Sequence, residues 1–120
     1  MIRVLLVDDK VAYRQAITRL LKTQPDMDLV GVAGSLAEAR TMLEGVDVAL
    51  IDRGLPDGDG IELIGELRGV SPGAKVLVMS VTVEEAHPEE AIEAGADGVI
   101  DKIEVPQQVF ATIRAHGGGR

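Results

Sequence analysis

Short apolar runs alternate along this chain with longer stretches in which apolar residues recur at helical spacing. The short runs are Ile2 to Val7, Leu29 to Ala33, Val46 to Ile51, Val76 to Met79 and Val99-Ile100. Uninterrupted runs of this length suit strands buried on both faces. Between them, Val11 to Thr23 carries Ala12, Ala16, Ile17, Leu20 and Leu21 at helical spacing, and Pro25 closes it. Ser35-Leu36-Ala37-Glu38 reads as a capping box, with Ser35 capping the helix start and Glu38 reaching back, and predicts a second helix to about Glu44. Gly54, Pro56, Gly58 and Gly60 make a loop before a third helix over Ile61 to Arg68. Lys75 to Ser80 is a fourth strand. Pro88 fits only the first turn of a helix, which confines the fourth helix to Pro88 to Ala94, with Gly95 stopping it. Asp97 to Asp101 is a short fifth strand, and Pro106 opens a last helix through Ala115. Five strands alternating with five helices predict an α/β fold: a parallel sheet, covered on both faces, with right-handed crossovers.

The ends of these strands carry the chemistry. Asp8-Asp9 follow the first run, Asp52 the third, Ser80 the fourth and Lys102 the fifth. Strand ends on one edge of a parallel sheet share one crevice, so segments far apart in sequence bring carboxylates and an ammonium together. Mg2+ takes oxygen ligands and keeps several waters, so one or two carboxylates at such an edge suit it, with Asp9 and Asp52 as candidates. An aspartate oxygen also attacks a phosphoryl donor when the charge on the transferring oxygens is offset. Asp52 stands singly and is the better nucleophile, whereas the Asp8-Asp9 pair suits the metal. Lys102 supplies a compact cation for a phosphoryl oxygen, and Ser80 a hydroxyl donor. Each residue alone would pass for a solvated loop residue; together they describe a magnesium and phosphoryl site.

Composition narrows the setting. With 120 residues, 46% of them hydrophobic, the chain makes one domain with a real core, expected over residues 1–115. His116-Gly117-Gly118-Gly119-Arg120 reads as a linker or tail. The absence of cysteine excludes disulfides and thiolate metal sites and fits a reducing cytoplasm. No basic start with an apolar core and no apolar run of about 18 residues indicates export or membrane insertion. A net charge of −8 argues against nucleic-acid binding by this segment, and points to proteins or cations as partners.

Over essentially its whole length the sequence resembles the receiver domain of two-component response regulators. The matching residues are Val7-Asp8-Asp9, Asp52 with Leu55-Pro56-Asp57-Gly58-Asp59-Gly60, Ser80, Ala94-Gly95-Ala96-Asp97-Gly98 and Lys102. The segment around Tyr13-Arg14, Ala94 to Gly98, and Pro106 with Ile113-Arg114-Ala115 is most similar to the NarL/FixJ (LuxR-type) branch, in which a helix-turn-helix DNA-binding domain normally follows the receiver. The resemblance implies the CheY-like, flavodoxin-like (βα)5 doubly wound fold with strand order 2-1-3-4-5. It implies that a sensor histidine kinase phosphorylates Asp52. Mg2+ would then be held by Asp9, Asp52, the Gly54 carbonyl and, through water, Asp8, while Ser80 and Lys102 bind the phosphoryl oxygens. The implied role is signalling rather than enzymatic turnover: a covalent charge change biases an output surface, probing a homodimer or an effector domain as readout.

Several residues depart from the family pattern. Val81 stands where Ala or Gly usually follows the switch hydroxyl, and its bulk narrows access to Asp52. Together with Gly54 and Thr82 it occupies the positions that govern access and hydrolysis. Val99 replaces the Tyr or Phe that usually reports phosphorylation, so the response is expected in the loop from Val81 to His87 and the short fourth helix. Lys10 adds a cation beside the metal pair. His87 and His116 read as surface residues, Tyr13 and Phe110 as packing residues, and Glu84, Glu85, Glu89, Glu90 and Glu93 as a solvated acidic face. A haloacid-dehalogenase-type phosphatase would need a second acid where Gly54 stands. A pseudo-receiver, a phosphorylation-independent interaction module, keeps the fold but loses the acidic pocket, and here Asp8, Asp9, Asp52, Ser80 and Lys102 are all present.

Overall fold

A computed structural model of the chain describes residues 1–81 and 87–117. Five parallel strands form the sheet: β1 (Ile2–Val7), β2 (Met27–Ala33), β3 (Val48–Asp52), β4 (Lys75–Ser80) and β5 (Gly98–Asp101). Their order is β2-β1-β3-β4-β5, the doubly wound arrangement that was expected. The helices are α1 (Val11–Lys22), α2 (Leu36–Ala39), α3 (Leu63–Val70), α4 (Pro88–Glu93) and α5 (Pro106–Gly117).

Period-two alternation sorts the strand residues into two cores. Leu5, Val7, Ala49, Ile51, Val76 and Val78 face one side, under α2, α3 and α4, where they meet Leu36, Leu63, Ile64, Leu67 and Ala91. Val4, Leu6, Val48, Leu50, Leu77 and Met79 face the other, under α1 and α5, against Ile17, Leu21, Val109, Phe110 and Ile113. All five residues of β3 are buried, as befits the central strand. Within α1 the inward stripe is Tyr13, Ile17, Leu20 and Leu21, while Ala12 and Ala16, expected on that stripe, are exposed. Larger side chains at i, i+4 and i+8 capture the buried face, and alanines lose little by facing water.

The second helix is much shorter than the expected run to Glu44. After Ala39 the bonding tightens, with Thr41 N donating to Glu38 O at 3.1 Å and Met42 N to Ala39 O at 2.9 Å. The Thr41 hydroxyl also donates to Glu38 O at 2.7 Å, and Ser71 Oγ donates to Leu43 O at 2.7 Å. These bonds satisfy backbone carbonyls without further helix and leave Leu43 and Val46 free to bury in the core. Its start follows expectation in part. Ser35 Oγ accepts from Glu38 N at 3.1 Å, but the Glu38 carboxylate accepts from Gly34 N and the Ser35 hydroxyl rather than from the backbone N–H of the cap residue. Asp57, from the loop after β3, accepts from Leu36 N at 2.8 Å and Ala37 N at 3.1 Å and completes the cap.

At the other end, α5 continues two residues past Ala115, so His116 and Gly117 are helical. Gly117 is buried, and a Cβ there would come within 2.6 Å of Val48 and 2.9 Å of Ile2, which explains why a glycine ends this helix against the sheet. Pro88 takes the first turn of α4, as expected. Thr82, Glu84 and Glu85, and most of the loop from Val81 to His87, lie outside the described residues.

The segment after β3 is more ordered than a glycine-rich loop suggests. Gly54–Leu55 and Gly58–Asp59 pair as a two-stranded antiparallel ribbon, and Gly60–Glu62 form one 3-10 turn leading into α3. Asp59 and Glu62 make a reciprocal capping box at that turn. Gly60 lies so close to the end of β3 that a Cβ would sit 2.1 Å from the Asp52 carbonyl oxygen. Its missing side chain lets the returning chain press against the strand end. Gly60→Ala should therefore lower stability by roughly 2 kcal/mol, the usual cost of forcing atoms into filled space. Urea unfolding of the two proteins checks this, and equal midpoints would show that the backbone yields there at no cost.

Candidate functional site

The carboxyl edge of the sheet gathers the expected residues. Asp8 follows β1 directly and is fully buried, because its N–H continues the ladder by donating to Ala33 O at 2.9 Å. Its Oδ1 accepts from Lys10 N at 2.8 Å, and Arg14 of α1 donates to its carbonyl at 2.9 Å. Asp52 ends β3 and is buried, with Gly54 N donating to its Oδ1 at 3.3 Å. Ser80, buried, ends β4, and its carbonyl accepts from Lys102 N at 2.7 Å, which aims the lysine across the edge. Lys102 Nζ then lies 2.7 Å from Asp8 Oδ2 and donates to Asp52 Oδ2 at 3.1 Å.

Asp8, Asp9 and Asp52 can each turn an oxygen to within 4.8 Å of the others, a spacing that one cation spans. The Asp8 Oδ2–Lys102 pair is close, yet its angle falls outside hydrogen-bond geometry, so this buried oxygen keeps an unfilled acceptor site. A buried carboxylate oxygen with no hydrogen bond is a costly arrangement that an oxygen-seeking cation relieves. All-oxygen donors, partial solvent access through Asp9 and excess negative charge fit Mg2+.

Electrostatics divide the carboxylates. Burial pushes Asp52 up from the ordinary aspartate range, and nearby Asp8 adds to the shift, while Lys102 opposes it. Burial also works against ionisation of Asp9, but the hydrogen bond and charge of Lys10 outweigh it and hold Asp9 below its usual value. Lys10 Nζ donates to Asp9 Oδ1 at 3.1 Å, so the extra cation noted in the sequence is engaged with the metal pair.

The cleft over Asp52 has a volume of about 330 Å³ and is lined by Lys10, Asp52, Arg53, Gly54, Ser80, Val81, His87 and Lys102. Val81 is 51% exposed, so its side chain stands at the rim and leaves the floor open. Val99 is half-buried and packs into the core beneath α3 and α4.

Three contributors were not visible in the sequence reading. Arg53 forks onto Asp59, with Nε donating to Oδ1 at 3.1 Å and Nη2 to Oδ2 at 2.5 Å, and Nη2 also donates to Glu90 on α4. Glu90 is thus tied to the loop after the strand rather than simply solvated, while Glu89 and Glu93 are exposed as expected. His87 belongs to the cleft mouth, in a left-handed conformation at φ 48° ahead of Pro88, and its side chain makes no capping bond. Tyr13 does pack, but its ring also lies 4.9 Å from Lys102 Nζ. The i, i+4 relation of Tyr13 to Ile17 places it on the inward stripe of α1, a signal that was available in the sequence.

A doubly wound parallel sheet whose carboxyl edge holds an acidic cluster and a lysine is the arrangement of a receiver domain. The chain belongs to the response regulator receiver domain family, whose model matches residues 4–114. It is 36% identical to the DNA-binding transcriptional activator DevR/DosR of Mycobacterium tuberculosis, over 100% of this chain and 56% of that protein. It is 35% identical to the transcriptional regulatory protein UhpA of Salmonella typhimurium, over 99% of this chain and 60% of that one. Among solved structures it superimposes on the signal receiver domain of the response regulator NarL from Mycobacterium tuberculosis with a TM-score of 0.88 and 27% identity, covering 99% of this chain and 98% of that one. It is thus a receiver domain of the LuxR/NarL type, and it spans little more than half the length of the curated relatives.

The raised Asp52 titration has a definite stability consequence. Where the folded form holds a proton that the unfolded chain has released, stability falls as pH rises through that window, and the ionised Asp52 at neutral pH is a net burden on the fold. In metal-free buffer at pH 7, Asp52→Asn should raise the melting temperature by about 2–5 °C. The gain should shrink toward zero below about pH 4, where the aspartate is itself neutral. A lower melting temperature for the variant at pH 7 would show that the Lys102 pairing outweighs burial.

Proposed function

We propose that Asp52 is the phosphoacceptor of this receiver, and that a sensor histidine kinase of a two-component system is the donor. The single observation that carries this reading is the Lys102 ammonium bridging Asp52 and Asp8 at one buried strand edge. In the transfer, an Asp52 carboxylate oxygen attacks phosphorus as the bond from phosphorus to the donor imidazole nitrogen breaks, and the imidazole leaves with its electron pair and takes up a proton. Lys102 meets the charge on one phosphoryl oxygen, and the Ser80 hydroxyl donates to another. Asp9, Asp52 and the Gly54 carbonyl would hold Mg2+ directly, and Asp8 through water; the ion supplies charge neutralisation for the phosphoryl oxygens. Gly54 and Val81 line the cleft through which water reaches the acyl phosphate, and so bear on its lifetime.

The output is transcriptional control through an effector domain, as the names of the relatives suggest, with this segment as the switch. The pseudo-receiver alternative gains nothing from the geometry, because the acidic cluster and its lysine are assembled.

Acetyl phosphate with Mg2+ should add one phosphoryl group to the intact mass, and Asp52→Asn should abolish the addition. An unmodified mass, under conditions that label another receiver, would instead favour the phosphorylation-independent module. Mg2+ affinity should fall further in Asp9→Ala than in Asp8→Ala, since only the first removes a direct ligand; equal affinities would overturn that assignment. Lys10→Ala should tighten Mg2+ about two- to fivefold, because the exposed Lys10–Asp9 pair must yield to the ion. Titration calorimetry measures all three variants.

A further inference from the structure

We propose that Tyr13 is a positioning residue for Lys102, its ring holding the ammonium at the phosphoryl site and carrying the state of that site to α1. This rests on the assignment of Asp52 as phosphoacceptor. The Lys102 side chain is 7% exposed, and its ammonium is bounded by Asp8 Oδ2 at 2.7 Å, Asp52 Oδ2 at 3.1 Å and the Tyr13 ring centroid at 4.9 Å. The electron-rich ring face attracts a cation at this range, and most strongly where water is excluded. A flexible four-carbon stem otherwise gives lysine many rotamers, so a third contact narrows where the ammonium can go. Burial raises the Tyr13 phenol to about 12, with Asp8 adding to the shift, so the ring stays neutral at physiological pH.

The position matters because Val99, on β5, has no ring to turn, and it packs under α3 and α4. Tyr13 approaches the same lysine from the opposite layer. When a phosphoryl group occupies Asp52, the ammonium shifts toward the new oxygens, and it either draws the ring along or leaves it. Both outcomes alter the environment of Tyr13 and the first turns of α1, where Arg14 also grips the Asp8 carbonyl.

The chain contains one tyrosine and no tryptophan, so its near-ultraviolet-excited emission reports this ring alone. Three measurements test the proposal. In the unliganded protein, ring current should place the Lys102 ε-methylene protons upfield of those of Lys10, Lys22 and Lys75; the displacement should persist in Tyr13→Phe and vanish in Tyr13→Leu. With Mg2+, beryllofluoride should change tyrosine emission in the wild type and leave Asp52→Asn unchanged. Fluorine NMR should show it binding about fivefold more weakly to Tyr13→Leu, and within about twofold of wild type to Tyr13→Phe. Unshifted Lys102 signals in the wild type overturn the placement. Equal binding by Tyr13→Leu and the wild type, or equal loss in both variants, overturns the role of the ring. If the wild type binds no beryllofluoride while the ring-current displacement is intact, the phosphoacceptor reading fails, and the transmission role falls with it.

Discussion

The Lys102 ammonium lies between two buried carboxylates that repel one another, 2.7 Å from Asp8 and 3.1 Å from Asp52. Each charge is expensive to take out of water, and the cost is tolerable only because the three are brought together from strands whose order was settled by the cores. Lys102 reaches across β4 from the end of β5, Asp8 comes from β1, and Asp52 stands on β3 between them. Lys102 and Lys10 together do not balance Asp8, Asp9 and Asp52. The remaining negative charge is what makes the edge a site for a further cation, and it adds to the burial that keeps Asp52 above its ordinary titration range. Stability and function pull in opposite directions here, as expected where a site is preorganised for a ligand.

The segment after β3 protects this arrangement from both sides. Gly60 returns against the Asp52 carbonyl, Asp57 caps α2, and Arg53 binds Asp59 within the ribbon and Glu90 on α4. Ten residues therefore connect the acidic strand end to helices on one layer of the molecule. On the other layer the connections are Arg14 to the Asp8 carbonyl and Tyr13 to Lys102. Asp52 is thus linked to both layers through different residues: to α4 through its chain neighbour Arg53, and to α1 through Lys102 and Tyr13.

The strand pattern, the parallel sheet and the placement of Asp8, Asp9, Asp52, Ser80 and Lys102 were readable from apolar runs and the residues that end them, because buried strands leave few alternatives for either face; the strand order followed only from the resemblance to receiver domains. Boundaries governed by tertiary bonds were not. Nothing local distinguishes Arg40 to Glu44 from a continuing helix, and it is Ser71, far along the chain, that takes the Leu43 carbonyl. Gly117 looked like flexible tail because its value lies in what a side chain would strike on the sheet. Asp57 and Arg53 read as turn and loop residues, since their partners on α2 and α4 are 20 or more positions away. Tyr13 was assigned to packing correctly, but that part of what it packs against is an ammonium depends on the chain crossing from β5, which no local pattern around Tyr13 encodes.

The departures from the family pattern acquire different weights once the geometry is known. Val81 stands at the rim of the cleft, so its bulk lies at the entry rather than on the acidic floor. Val99 removes a turning ring from β5, but it does not remove aromatic character from the site, because Tyr13 supplies a ring from α1 to the same lysine. Lys10 offsets part of the charge of Asp9 through their ion pair and holds that carboxylate ionised. Each substitution leaves the chemistry of the strand edge in place and alters what surrounds it: access, readout and the strength of metal binding. Asp52, its lysine and the acidic pair are set by sheet order, whereas their surroundings fall to side chains on the loops and helices that the sheet order leaves free.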